Sequence, residues 1–177
     1  MEVMSIFERS LPKEAHVLYL EAPFPDGEGF CWFDYKNLDR EKTENQKLES
    51  EKKIIASLEE LLQNAKDEVT PRAIVGIGFS QGAFMLGRLI QKYPRFDGIA
   101  LLAGLTELVS ETVPSESSPR LLFANGTKDE IFSILSVNEV ALKFRERGYS
   151  VTMVTDDVGH KIGPNGFREL KSWSQMF

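Results

Sequence analysis

Residues 72–90 read RAIVGIGFSQGAFMLGRLI. The first eight are an apolar run rich in Ile, Val and Phe, and read as a buried strand. The segment from Gln81 carries Phe84, Met85, Leu86, Leu89 and Ile90, a helical spacing that extends to Lys92. Between them stands Gly78-Phe79-Ser80-Gln81-Gly82, a G-x-S-x-G pattern. At ordinary Gly and Ser usage, chance places that pattern in about one chain of this length in twenty. Its position between an apolar strand and an amphipathic helix is what makes it specific. A serine on so tight a turn projects its hydroxyl from the end of the sheet. The crowded backbone leaves no room for side chains two residues before and two after. The plainer reading is a serine N-cap in a glycine-tight turn. A dinucleotide or phosphate loop is excluded, because Gln81 stands where a third glycine is needed and no Gly-Lys-Ser/Thr follows.

Outward from this turn the pattern repeats. GIALLAG (98–104), RLLFANG (120–126) and YSVTMVTD (149–156) are further strand candidates. Leu135 to Arg147 reads as a helix stopped by Gly148, and a last helix runs from about Gly166 to the end. Upstream, HVLYLEA (16–22) reads as a buried strand closed by Pro23 and Pro25, followed by an aromatic, glycine-rich loop containing Cys31-Trp32-Phe33. Met1 to Ser10 suits a short amphipathic helix. The charged stretch Asp39 to Lys53 passes into a helix bearing Ile54, Ile55, Leu58, Leu61 and Leu62, and reads as a solvated face. Alternating apolar strands and helices imply an α/β fold with a mainly parallel sheet, in one domain spanning residues 1–177. In such folds chemistry gathers at the carboxyl ends of the strands.

Composition narrows the classes. With 21 Lys+Arg against 27 Asp+Glu the net charge is −6, so no basic stripe is available for nucleic acid. Two histidines and one cysteine are too few soft ligands for a structural zinc site, and Cys31 has no internal disulfide partner. No apolar run approaches membrane-spanning length, and the N-terminus lacks a signal-peptide core. A cytoplasmic protein is expected. A homodimer is compatible with the sequence.

A serine hydroxyl needs a base, and the base needs an orienting acid. His160 is the one histidine after Ser80, in the loop VGHKIGPNG behind a strand candidate; the ordinary reading is a loop histidine. His16 precedes the turn, at the start of a strand. Asp129 is the favoured acid, in the loop after RLLFANG. Asp156 and Asp157 share a segment with His160 and would struggle to reach behind its ring; Glu107 is a weaker rival. The Asn125-Gly126-Thr127 sequon is expected to have no role in a cytosolic chain.

GFSQGA, NGTKDEIF and GHKIGPNGF, together with LEAPFP and CWFDY, resemble the phospholipase/carboxylesterase family of the α/β-hydrolase fold, which includes acyl-protein thioesterases. The resemblance runs from about Phe7 to the C-terminus. It implies Ser80 as nucleophile, His160 as general base and then acid, and Asp129 as the orienter of His160. The backbone N–H of Gln81 would donate to the oxyanion. Trp32 and Phe33 would border the substrate, with core packing as the alternative. The substrate would be a small-molecule ester or acyl compound, with a thioester as the alternative, and no cofactor or metal is implied. The chain departs from the pattern in one respect. Met1 to Ser10 already matches the helix that follows the family's first strand and its His-Gly loop. The expectation is therefore an N-terminally shortened fold that lacks one oxyanion donor. Loss of such a donor costs about 10²–10³ in turnover. HVLYLEA would then pair directly with RAIVGIGF or stand off by about 10 Å, two interstrand spacings. The alternative function is an impaired or inactive hydrolase-like binding protein.

Overall fold

The glycine-closed apolar runs form one parallel sheet in the computed structural model, which describes residues 2–36, 38–65, 71–90, 92–93, 95–107 and 118–177. In chain order the elements are α1 (Glu2–Ser5), a 3-10 turn (Glu8–Ser10), β1 (Phe24–Asp26), β2 (Gly29–Cys31), α2 (Arg40–Ala65), β3 (Val75–Phe79) and α3 (Gln81–Leu89). There follow β4 (Gly98–Leu102), β5 (Arg120–Gly126), α4 (Ile134–Glu146), β6 (Val151–Asp156) and α5 (Pro164–Ser174). Residues 18–72 form one compact unit; residues 2–17 with 73–177 form the other. Among the described residues, no helix is long and apolar enough to cross a membrane.

In the larger unit the strand order is β3-β4-β5-β6, all parallel. Every residue of β4 is buried, as is β5 from Leu121 to Gly126. Continuous apolar strands are what a sheet covered on both faces requires. Alternation along the strands divides the core. Ala100, Leu102, Leu122 and Ala124 pack with Leu170 and Trp173 of α5 and with Phe7. Phe123 instead meets Phe144 of α4, ring centroids 6.1 Å apart. Phe7 stacks on Phe167 at 5.5 Å and lies 6.3 Å from Phe79. Ser174 donates to the Ser10 carbonyl at 2.7 Å, which fixes the N-terminal segment to α5. Register levels the strand ends. Phe79 pairs with Leu102, Leu102 with Ala124, and Ala124 with Val154. The loops that carry Ser80, Asp129 and His160 therefore leave from one edge of the sheet.

The expected strand at 16–22 is not formed. His16, Val17, Leu18 and Glu21 are exposed, and the segment has no ladder partner; β3 pairs with β4 alone among the described residues. An apolar run becomes a strand only where a neighbour takes up its backbone donors and acceptors. Direct pairing of HVLYLEA with RAIVGIGF, the first alternative drawn from the sequence, is therefore not formed among the described residues.

The smaller unit is a hairpin followed by a long helix. β1 and β2 pair antiparallel, Phe24 with Cys31 and Asp26 with Gly29. Gly27, first of the two turn residues, has φ 61°, a conformation favourable to glycine and suited to a two-residue hairpin. α2 merges the charged stretch and the apolar helix into one element, with Ile54, Leu58 and Leu62 buried. The loop after β2 is bound to α2 through side chains. Ser50 donates to the Trp32 carbonyl at 2.6 Å, and the Gln46 amide oxygen accepts from the Asp34 N–H at 2.9 Å. Cys31 is buried. Burial pushes its thiol upward in pKa, reinforced by Asp26 and Asp34, so it is the poor thiolate expected of a small packing group.

Candidate active site

The turn from β3 into α3 holds Ser80 at φ 54°, ψ −115°, outside the regions that side chains prefer. The glycines around it are there for close approach. A Cβ on Gly78 would land on the carbonyl of Gly82 and the nitrogen of Ala83. The Ser80 N–H is held by the Leu102 carbonyl at 2.9 Å. The Ser80 side chain makes no cap hydrogen bond to α3, so the plain N-cap reading does not describe it. Its Oγ lies instead 2.9 Å from Nε2 of His160. Gln81 is the first residue of α3, at the positive end of the helix dipole.

His160 reaches Ser80 from the loop after β6. Its Nδ1 lies 2.9 Å from Oδ2 of Asp129, whose side chain is fully buried. The loop after β5 makes this possible by a local turn. The other Asp129 oxygen, Oδ1, accepts the backbone N–H groups of Ile131 at 2.8 Å and Phe132 at 3.0 Å. Burial pushes this carboxyl up in pKa. The hydrogen bonds from Phe132, His160 and Ile131 outweigh that and hold it below the ordinary aspartate value. Asp129 is thus ionised at neutral pH and suited to accept an N–H from His160 Nδ1.

The two loops are locked to each other. Thr127 donates to the Asp156 carbonyl at 2.8 Å, and Lys128 to that of Val158 at 3.0 Å. A Cβ on Gly126 would strike the Val158 and Gly159 carbonyls, so glycine lets the loop carrying His160 lie directly on β5. Two aromatic rings flank the imidazole, Phe79 at 5.4 Å and Phe132 at 5.8 Å between centroids. Sequence reasoning missed both. Their signal was adjacency, since Phe79 precedes Ser80 and Phe132 lies three residues after Asp129.

The rival acids are occupied elsewhere. Asp156 accepts the N–H groups of Asn165 at 3.0 Å and Gly166 at 2.8 Å, capping α5. Asp157 is exposed and pairs with Lys128 at 2.8 Å. Glu107 is exposed. Asn125 is 3% exposed, with its amide turned to the Gly104 carbonyl, so the sequon presents no surface acceptor. Trp32 is half-buried and Phe33 buried, both on the loop held against α2 in the smaller unit, where Lys47 lies 5.2 Å from the Phe33 ring. The structure brings together Ser80, His160 and Asp129, three residues far apart in sequence, in one chain of hydrogen bonds.

Solved structures share this architecture. A carboxylesterase from Bacillus cereus superposes with a TM-score of 0.83 at 20% identity, over 99% of this chain and 82% of its own. A carboxylesterase from Mesorhizobium loti gives 0.78 at 19%, over 97% and 81%. SOBER1 from Arabidopsis thaliana gives 0.75 at 22%, over 97% and 89%. At such identities the likeness is one of fold, here the α/β-hydrolase fold. No curated protein sequence matches the chain. The sequence model of the Phospholipase/Carboxylesterase family matches residues 16–175, nearly the whole chain, and the protein belongs to that family.

Proposed function

We propose that this protein is a serine hydrolase that cleaves carboxylic esters through an acyl-enzyme on Ser80. The observation that carries the reading is the continuous hydrogen-bonded chain from the Ser80 hydroxyl through His160 to a buried, ionised Asp129. His160 Nε2 takes the hydroxyl proton as Ser80 attacks the carbonyl, and Asp129 holds the imidazole in the tautomer that leaves Nε2 free to accept. The tetrahedral oxyanion is stabilised by the backbone N–H of Gln81 at the N-terminus of α3. His160 then protonates the leaving alcohol, the acyl-enzyme forms, and the same imidazole activates water to release the acid. Thioesters suit the same chemistry, because a thiolate is a good leaving group. Trp32 and Phe33 are assigned to substrate binding on the family resemblance.

Turnover of p-nitrophenyl acetate by the purified protein and by Ser80→Ala tests this reading. The expected result is a hydrolysis rate that falls to background in Ser80→Ala. An equal rate in the two proteins removes Ser80 from the mechanism. A folded wild-type protein with no turnover favours the alternative, a hydrolase-like binding protein.

A further inference from the structure

We infer that Asn125 is a positioning residue for Ser80, an inference that rests on the reading of Ser80 as nucleophile. The turn that carries Ser80 is supported from the neighbouring strand ends. Ser80 donates its N–H to Leu102 at the end of β4. The next residue there, Ala103, has φ 41° and donates its own N–H to Ala124 of β5 at 2.8 Å. Ser80 and Ala103 are the non-glycine residues with positive φ among the described residues, and they sit side by side at adjacent strand ends. Gly104 completes this shelf. A Cβ there would strike the Cβ of Ala83 and approach the Ser80 carbonyl to 3.0 Å, so the backbone of residue 104 lies directly against the turn.

Asn125 holds the shelf in place. Its Nδ2 donates to the Gly104 carbonyl at 3.2 Å in a buried setting, while its Oδ1 is buried with no hydrogen-bond partner among the described residues. A buried amide with an orphan acceptor is a poor choice for packing alone, where an apolar residue of similar size avoids the penalty. What the amide gains is the donor to Gly104. Asn125 also precedes Gly126, on which the Val158 and Gly159 carbonyls rest, and shares its loop with Asp129. One side chain thus links the support of Ser80 to the strand end that orients Asp129 and His160.

The test compares wild type with Asn125→Leu, which removes the donor and the orphan acceptor together. Asn125→Ser removes the reach to Gly104 with a smaller change and serves if the leucine variant does not fold. The readouts are kcat and KM for p-nitrophenyl acetate, and the rate of fluorophosphonate labelling per folded molecule. The expected result is a loss of about 10- to 100-fold in kcat and labelling rate, the scale of a small misplacement of a reacting group, with KM little changed. A labelling rate per folded molecule equal to wild type overturns the inference, even if the melting temperature falls, because Asn125 then serves stability alone. Wild-type protein that takes no label overturns the Ser80 reading and this inference with it.

Discussion

Two buried aspartates stand at the carboxyl ends of neighbouring strands, Asp129 in the loop after β5 and Asp156 as the last residue of β6, equally 8% exposed. Each accepts two backbone N–H groups, and they differ in how the oxygens are used. Asp129 takes both N–H groups on Oδ1 and keeps Oδ2 for His160. Asp156 assigns one oxygen to Asn165 and the other to Gly166. The turn from Asp129 to Phe132 gathers its donors on one oxygen of the carboxylate. The N-terminus of α5 spreads them across both oxygens of Asp156. The first geometry leaves an acceptor for chemistry, and the second is complete as a cap. Burial alone therefore does not separate the aspartate that reaches His160 from the one that caps α5.

The largest expected difference is in turnover. Asp129→Asn keeps an acceptor for the turn but presents an N–H to His160 Nδ1, favouring the wrong tautomer, and is expected to lower kcat by about 10⁴. Stability against pH checks the same carboxylate. Because its folded pKa is depressed, its contribution is complete above the ordinary value of 3.8 and disappears as pH falls through the lower folded value. The stability gap between wild type and Asp129→Asn should accordingly shrink in urea titrations below pH 3.8. A gap that stays constant there contradicts the ionised, hydrogen-bonded carboxylate.

Asp156→Ala should act in the opposite way. Loss of the α5 cap leaves the buried Gly166 N–H without its acceptor and costs about 2 kcal/mol of stability. Turnover per folded molecule should fall far less than in Asp129→Asn, and an equal collapse of kcat would erase the contrast between the two aspartates. Asp157→Asn is the smallest case. Its exposed pair with Lys128 is solvent-screened, so denaturant midpoint and turnover should both remain those of the wild type.

Much of this contrast was legible in the sequence, for a physical reason. The Ser80 turn is written in residues that must lie close together, Gly78 against Gly82, so its pattern is local. Asp129 followed from strand order, because loops that leave one sheet edge are neighbours. The cap role of Asp156 was hidden, since it depends on α5 beginning at Pro164 rather than near Gly166, with donors nine and ten residues away. Pro164 at the first helical position was the available signal. The hairpin of β1 and β2 was also signalled, by Asp26-Gly27, and passed over as loop. Residues 16–22 show the limit of reading apolar runs. HVLYLEA and RAIVGIGF look alike in isolation, but among the described residues only the second has a partner strand, and pairing is a property of the neighbour. The orphan oxygen of Asn125 had no sequence signal, because an unmet hydrogen bond exists only after folding.

The central claim is that Ser80 is a nucleophile activated through His160 and Asp129. Mass spectrometry of the protein after incubation with a fluorophosphonate tests it most directly. The account predicts one covalent adduct, located on the peptide containing Ser80, absent in Ser80→Ala and strongly slowed in Asp129→Asn. A folded wild-type protein that remains unmodified, or an adduct on another residue, would contradict it.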